Sequence, residues 1–557
     1  MSENVEATKD FLARVTARGE KLMQQLGAPS LLPASQQEPL QNLMQNTMQF
    51  WFGWYKALLD NMHPDDEGGG DKRFAGNAWR HDPRFDSLQR SYRSNSRFIL
   101  RAVDTAPVGE AARGQMRFVM RQVVDAMSPA NFLATNPEAL QLALETRGES
   151  LSKGFEMFFR DAAKGRITMS DEAAFEVGTN IAATEGAVVY ENELMQLIQY
   201  RPLTKKVMKR PLLMVPPCIN KFYILDLQPD NSLVRYALEH GTTVFMVSWR
   251  NITPELGHLT WDDYLQTGII QAIEVARDIS GADRVNALGF CIGGAMLSSA
   301  AATMAARDND ALASLTLLTT MLDYADTGEI GLLVSEHSVR AREQTVGRGG
   351  VMPGKELALT FSSLRANDLI WPYVVNGYLK GRAPEAFDLL YWNADATNLP
   401  GPMFAWYMRN TYLENNLRRP GKTVQCGEPL DLGKIAVPTY IYASRGDHLV
   451  PWRTCFESTK ILAGPTTFVL GASGHIAGVI NAPAKGKRNY WVDGEVNDGA
   501  EGWLGTARSE KGSWWPHWLA WLRQQSTTQS PARMELGNRL YHEIEPAPGR
   551  YVRERAD

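Results

Sequence analysis

Residues Gly289-Phe290-Cys291-Ile292-Gly293 constrain this chain more than any other stretch. An apolar run, residues 284–288, leads into them, and a run of small residues, 294–300, leads out. That pattern predicts a strand, a sharp turn and a helix. A turn this tight brings backbone against backbone, so glycine is needed on each side of the central residue. The central side chain is then lifted at the carboxyl end of the strand, against a helix N-terminus. Free N–H groups and the helix dipole there favour a thiolate, so Cys291 is a candidate nucleophile.

The motif is the G-x-S-x-G nucleophile elbow with cysteine in the serine position, as the α/β-hydrolase fold would use it. The surrounding pattern agrees. Short apolar runs at 211–216, 242–248, 313–319, 438–443 and 466–470 read as strands. Residues 231–240 and the amphipathic stretch 261–280 read as helices between them. Strands alternating with helices imply a mostly parallel central sheet covered on both faces. From about 322 to 425 the alternation breaks into a segment rich in Trp, Tyr, Asn and Pro, expected to form an inserted cap over the strand ends.

Residues 1–200 read as a helical N-terminal domain, and 201–557 as the catalytic domain. Within the first, residues 1–30 read as a loosely attached helix, 63–70 as a linker, and 85–200 as mostly helical. Residues 37–62 form an unusually aromatic helical pattern. Docking on the neighbouring domain and an amphipathic face for a hydrophobic surface or partner both fit it.

A net charge of −4 gives no global basic field for nucleic acid, though a phosphate-bearing substrate would need a local patch. No apolar stretch approaches the length of a transmembrane helix. Residues 1–6 are acidic and unlike a signal peptide, so a cytoplasmic protein is expected. The four cysteines, Cys218, Cys291, Cys426 and Cys455, show no disulfide or zinc spacing, so reduced thiols and no metal site are expected.

A cysteine nucleophile needs a base, and the base needs an orienting partner. In the α/β-hydrolase order, nucleophile, acid and histidine follow one another along the chain. Asp447 follows one predicted strand and His475 the next. His448 adjoins Asp447 and competes for the role of base, but adjacent residues cannot easily present both side chains to one nucleophile; it is expected to line the site. Backbone N–H groups of Ile292 and Ile219 are the candidate oxyanion donors, since the loop after the first catalytic-domain strand often supplies one. Cys218, in that loop, reads as a packed thiol lining the site.

The chain closely resembles the poly(3-hydroxyalkanoate) synthases, class I type, from about residue 70 onward. The marks are Pro216-Pro217-Cys218-Ile219-Asn220-Lys221, Ser248-Trp249-Arg250-Asn251, Trp261-Asp262-Asp263-Tyr264, the elbow, Asn398-Leu399-Pro400-Gly401-Pro402, Asp447-His448-Leu449-Val450-Pro451-Trp452, Gly474-His475-Ile476-Ala477-Gly478, and Glu545-Pro546-Ala547-Pro548-Gly549-Arg550-Tyr551-Val552. The resemblance implies (R)-3-hydroxyacyl-CoA as substrate, an intracellular polyester as product, and no cofactor. It implies Cys291 as acyl carrier, His475 as base and Asp447 as third member. It also implies a homodimer with cap contacts, Trp392 a candidate among them, and attachment to growing polymer granules. Phe290 beside the nucleophile looks like the short-chain group. The triad alone does not separate polymerisation from thioester hydrolysis. A purely structural granule coat would have no need of the elbow.

Overall fold

The structure, a computed structural model, describes residues 70–556. The expected helices at 1–30 and 37–62 and nearly all of the 63–70 linker lie outside them. The chain divides into two compact units. In the first, the described residues fall mainly in the helix Pro83–Asp104, within which Arg90 pairs with Asp86 at 2.9 Å one turn earlier. The second unit, Lys72–Phe85 and Pro107–Asp557, carries everything below.

It opens with the helices Glu110–Ala126, Pro137–Glu145 and Glu149–Lys164. Asn136 caps the second by accepting from Ala139 N–H at 3.0 Å. Among the described residues, eleven strands then build the main sheet: β1 (Gly186–Glu191), β2 (Met195–Tyr200), β3 (Leu212–Val215), β4 (Val244–Trp249), β5 (Val285–Phe290), β6 (Leu312–Leu318), β7 (Thr439–Ser444), β8 (Thr466–Gly471), β9 (Asn489–Val492), β10 (Arg508–Lys511) and β11 (Glu545–Pro546). They lie in the order β10-β9-β8-β7-β6-β5-β3-β4-β2-β1-β11. The six from β8 to β4 are mutually parallel, and antiparallel strands extend the sheet on both sides. This is the arrangement expected for an α/β-hydrolase fold.

Strands β3 to β7 are buried along their whole length. Their alternate residues feed two cores: Leu213, Phe245, Ala287 and Ile441 one, Met214, Met246, Leu288 and Tyr442 the other. The helix Ile292–Ala306, apolar all round, is buried nearly throughout. Between β6 and β7 the chain leaves the sheet for a helical insertion that includes Glu336–Gln344, Gly354–Leu364, Asp388–Asn393 and Gly401–Met408.

One expectation needs correcting. The sheet begins at residue 186, inside the stretch read as mostly helical. Asn192 explains it: its Oδ1 accepts from Leu194 and Met195 N–H, both at 2.9 Å, and folds 186–200 into a hairpin. Both strands carry adjacent apolar residues without clean alternation, because β2 is buried at every position.

Candidate active site

Strand β5 delivers the chain into the turn at Cys291, whose backbone sits at φ +55°, ψ −125°. A non-glycine residue at this positive φ is strained, and the neighbours hold it there. Cys291 N–H donates to Leu318 O at 2.9 Å, and Thr320 Oγ1 donates to Cys291 O at 3.2 Å. The flanking glycines are sterically required. A Cβ on Gly289 would lie 2.5 Å from Gly294 Cα, and one on Gly293 would lie 2.5 Å from Val215 O. Ile292 is the first residue of the helix, so its N–H is among those with no intrahelical acceptor.

Asp447 stands in the loop after β7. Its Oδ1 accepts from Leu449 and Val450 N–H at 2.8 and 2.9 Å, and its Oδ2 lies 2.6 Å from His475 Nδ1. Neither side chain is open to water: they are 0% and 5% exposed. His475 begins the short helix His475–Val479, and its ring stacks on Phe290 with centroids 5.6 Å apart. Burial alone would lower the His475 pKa. The charges of Asp447 and then Cys291, with hydrogen bonds from both, overcome that and raise it to about 10.

His448 is placed differently. Burial pushes it down to about 4 against the opposing pull of Asp447, so it is neutral near pH 7. Both Asp447 oxygens are engaged elsewhere. Cys218 is fully buried, and its thiol is pushed up first by burial and also by Cys291. Ile219 O accepts from Thr397 N–H at 2.8 Å, so the insertion binds this loop directly. Trp392 is 4% exposed, and its indole N–H donates to Lys221 O at 2.7 Å within the same chain. Cys426 and Cys455 are free thiols.

Two groups of site residues escaped the sequence reading. The first is a tyrosine trio from the insertion. Tyr324 and Tyr407 hydroxyls lie 3.3 Å apart, and Tyr412 packs edge-on to both rings. Burial above all, with Cys291 among the charges contributing, holds all three phenols above their ordinary range, so they are neutral near pH 7. Their only signal was the aromatic bias of the insertion. The second group fixes the histidine helix. Tyr442 OH donates to Gly478 O at 2.7 Å, Trp514 N–H to Gly478 O at 3.2 Å and Trp515 N–H to Val479 O at 2.9 Å. Buried Trp N–H and Tyr O–H groups need partners, and here they close the open carbonyls of the helix that bears His475.

A thiol, an imidazole fixed by a buried carboxylate, and free helix-terminal N–H groups together suit acyl transfer. A family model described as the poly-beta-hydroxybutyrate polymerase (PhaC) N-terminus matches residues 70–237, and one for the alpha/beta hydrolase fold matches residues 211–482. The poly(3-hydroxyalkanoate) polymerase subunit PhaC of Cupriavidus necator is 52% identical over 522 residues, spanning 93% of this chain and 89% of that protein. The subunit from Rhizobium meliloti is 40% identical, spanning 87% of this chain and 80% of its own. The polymerase of Methylorubrum extorquens is 41% identical, spanning 87% and 81%. Matched over most of its own length and of theirs, the chain belongs to the poly(3-hydroxyalkanoate) polymerase family.

Proposed function

We propose that this chain is an acyltransferase that joins (R)-3-hydroxyacyl units from their CoA thioesters into poly(3-hydroxyalkanoate), with Cys291 as acyl carrier. The 2.6 Å contact between His475 Nδ1 and Asp447 Oδ2, next to a cysteine held in a strained elbow, carries this reading. Asp447 fixes the ring so that Nε2 serves the reaction. His475 takes the thiol proton, and the surrounding charges favour the resulting imidazolium. The sulfur attacks the thioester carbonyl. Backbone N–H groups of Ile292 and Ile219 hold the oxyanion, a contribution of about 3–4 kcal/mol per well-placed donor. The C–S bond to CoA breaks, and the departing thiolate takes the proton from His475. In the second half, the 3-hydroxyl of another unit or of the chain end attacks a thioester. His475 accepts its proton as the ester C–O bond forms and the C–S bond breaks. Asp447 works through His475 in both halves. Cys218 and His448 line the site without entering the proton path.

Exclusion of water from the site protects the acyl-enzyme from hydrolysis. Phe290 supports a short-chain monomer, 3-hydroxybutyryl-CoA. Residues 1–200 are proposed as a region for dimer and granule association, and 201–557 as the catalytic region. The chain is proposed to act as a homodimer in the cytoplasm at the surface of its polymer granules, and no cofactor is needed for the chemistry. No helix among the described residues is long and apolar enough to cross a membrane.

The test is product size after incubation with (R)-3-hydroxybutyryl-CoA. High-molecular-weight polyester is expected. Free 3-hydroxybutyrate with CoA release would replace polymerisation by hydrolysis.

A further inference from the structure

The loop after β3 that supplies Ile219 is gripped from outside at every residue from 219 to 221. Thr397 N–H donates to Ile219 O, Asn220 forms an isolated antiparallel bridge with Ala396, and Trp392 donates to Lys221 O. The gripping segment, residues 392–397 of the insertion, is itself fastened by residues from the far end of the sequence. Asp395 is 3% exposed; its Oδ2 accepts from Tyr223 OH at 2.8 Å, and its Oδ1 pairs with Arg555 at 2.9 Å. Arg555 also donates to Tyr391 OH at 3.2 Å. Lys221, 2% exposed, donates its ammonium to Glu554 O at 2.6 Å. Asn251 completes the join: its amide N–H donates to Arg555 O, and its Oδ1 accepts from Asn398 N–H, both at 3.0 Å.

This segment is in turn anchored on the hairpin. Tyr551 OH donates to Asn192 O at 2.8 Å, and the Arg250 guanidinium sits 4.8 Å over the Tyr551 ring. A buried ammonium and a buried carboxylate are costly to keep unless each is paired. Here the carboxylate pairs with the Arg555 guanidinium and the ammonium donates to the Glu554 carbonyl, and both sit on elements that flank Ile219.

We propose that Lys221, Asp395 and Arg555 are positioning residues for the acyl-transfer reaction: residues 551–555 act as a strap that holds the Ile219 N–H at the oxyanion position through the insertion segment 392–397. The inference rests on the assignment of Ile219 as an oxyanion donor. It separates two properties that a general loss of structure would move together. Alkylation of Cys291 by iodoacetamide develops no oxyanion, whereas acylation by a thioester does.

The experiment compares wild type, Arg555→Met, Arg555→Lys and Asp395→Asn. Arg555→Met leaves the buried Asp395 without its cation, so urea unfolding of each variant is measured alongside, and Asp395→Asn removes that charge while keeping the volume and the contact with Tyr223. Expected for Arg555→Met and Asp395→Asn is a fall in the kcat of CoA release of about 10- to 100-fold, the scale of a small misplacement. KM and the Cys291 alkylation rate should stay within about threefold, and Arg555→Lys should recover part of the loss. Unchanged CoA release would overturn the strap. So would a parallel fall of alkylation and CoA release, which would reduce these residues to structural support. A wild type that alkylates normally yet does not release CoA would overturn the oxyanion assignment, and this inference with it.

Discussion

Replacing Asp447 by asparagine tests how the base is made. The Asp447→Asn change keeps the size of the side chain and removes its charge. In the native protein His475 is raised from 6.5 to about 10, and Asp447 is the largest raising influence. At about 1.4 kcal/mol per pH unit, that rise corresponds to on the order of 5 kcal/mol in favour of the imidazolium. With the charge gone, burial acts against the charged ring with only Cys291 opposing it, so the His475 pKa should fall by several units. The sign of the linked stability follows. A pKa raised on folding gives stability that is fully present below about 6.5 and disappears as the pH climbs through about 10. Native protein should therefore lose stability across that window, and Asp447→Asn should be flatter there and weaker at pH 6. The assays are NMR titration of the His475 ring, urea unfolding at pH 6 and pH 10, and CoA release at pH 7.5. A fall in kcat of about 10³- to 10⁴-fold is expected, the scale for losing the group that orients a catalytic histidine. A variant with an unaltered His475 titration, or with a tenth of native kcat, would refute the reasoning and return His448 to contention.

Cys291→Ala should abolish CoA release with native-like unfolding, read by acylation with labelled substrate and by urea denaturation. Gly293→Ala would press a Cβ to 2.5 and 2.6 Å from the carbonyls of Val215 and Pro216; a loss of about 1–3 kcal/mol by urea unfolding is expected, together with reduced kcat. His448→Gln should keep kcat within about tenfold of native, since a neutral imidazole outside the proton path is being replaced by another neutral polar group. Trp392→Phe leaves Lys221 O short of its donor and should cost about 1–3 kcal/mol of stability, while sedimentation shows an unchanged association state.

The parts of this fold legible in the sequence are those where one local rule decides. Strands β3 to β8 are short apolar runs, buried over most of their length, and most have a glycine or proline near an end. The elbow is spelled out by two glycines that backbone contact forbids to be anything else. Asp447 and His475 could be named because each follows such a run. Less legible were features set by residues far apart in sequence. The hairpin at 186–200 hides its alternation because Gln196 and Gln199 are buried and satisfied by partners near residues 537–551. The tyrosine trio, the Trp514 and Trp515 donors and the Arg555 pair gain meaning only when distant segments meet. The bond from Trp392 to Lys221 O was hidden for the same reason: the two residues are 171 positions apart in sequence.

The sheet's pairing order bears on how the chain reaches this state while being synthesised. Strand β1 has β2 on one side and β11 on the other, with Ala187 opposite Pro546. Until residues 545–546 leave the ribosome, that side of the hairpin presents unpaired N–H and C=O groups, a template for any extended chain nearby. Strand β6 likewise waits for β7 across the whole insertion before Thr316 and Leu317 meet Tyr440 and Ile441. Contacts this distant in sequence form slowly. The nascent protein therefore passes through an aggregation-prone interval with that edge unsealed. Slower translation should lengthen that interval, and a chaperone that shields strand edges should raise the yield of soluble protein.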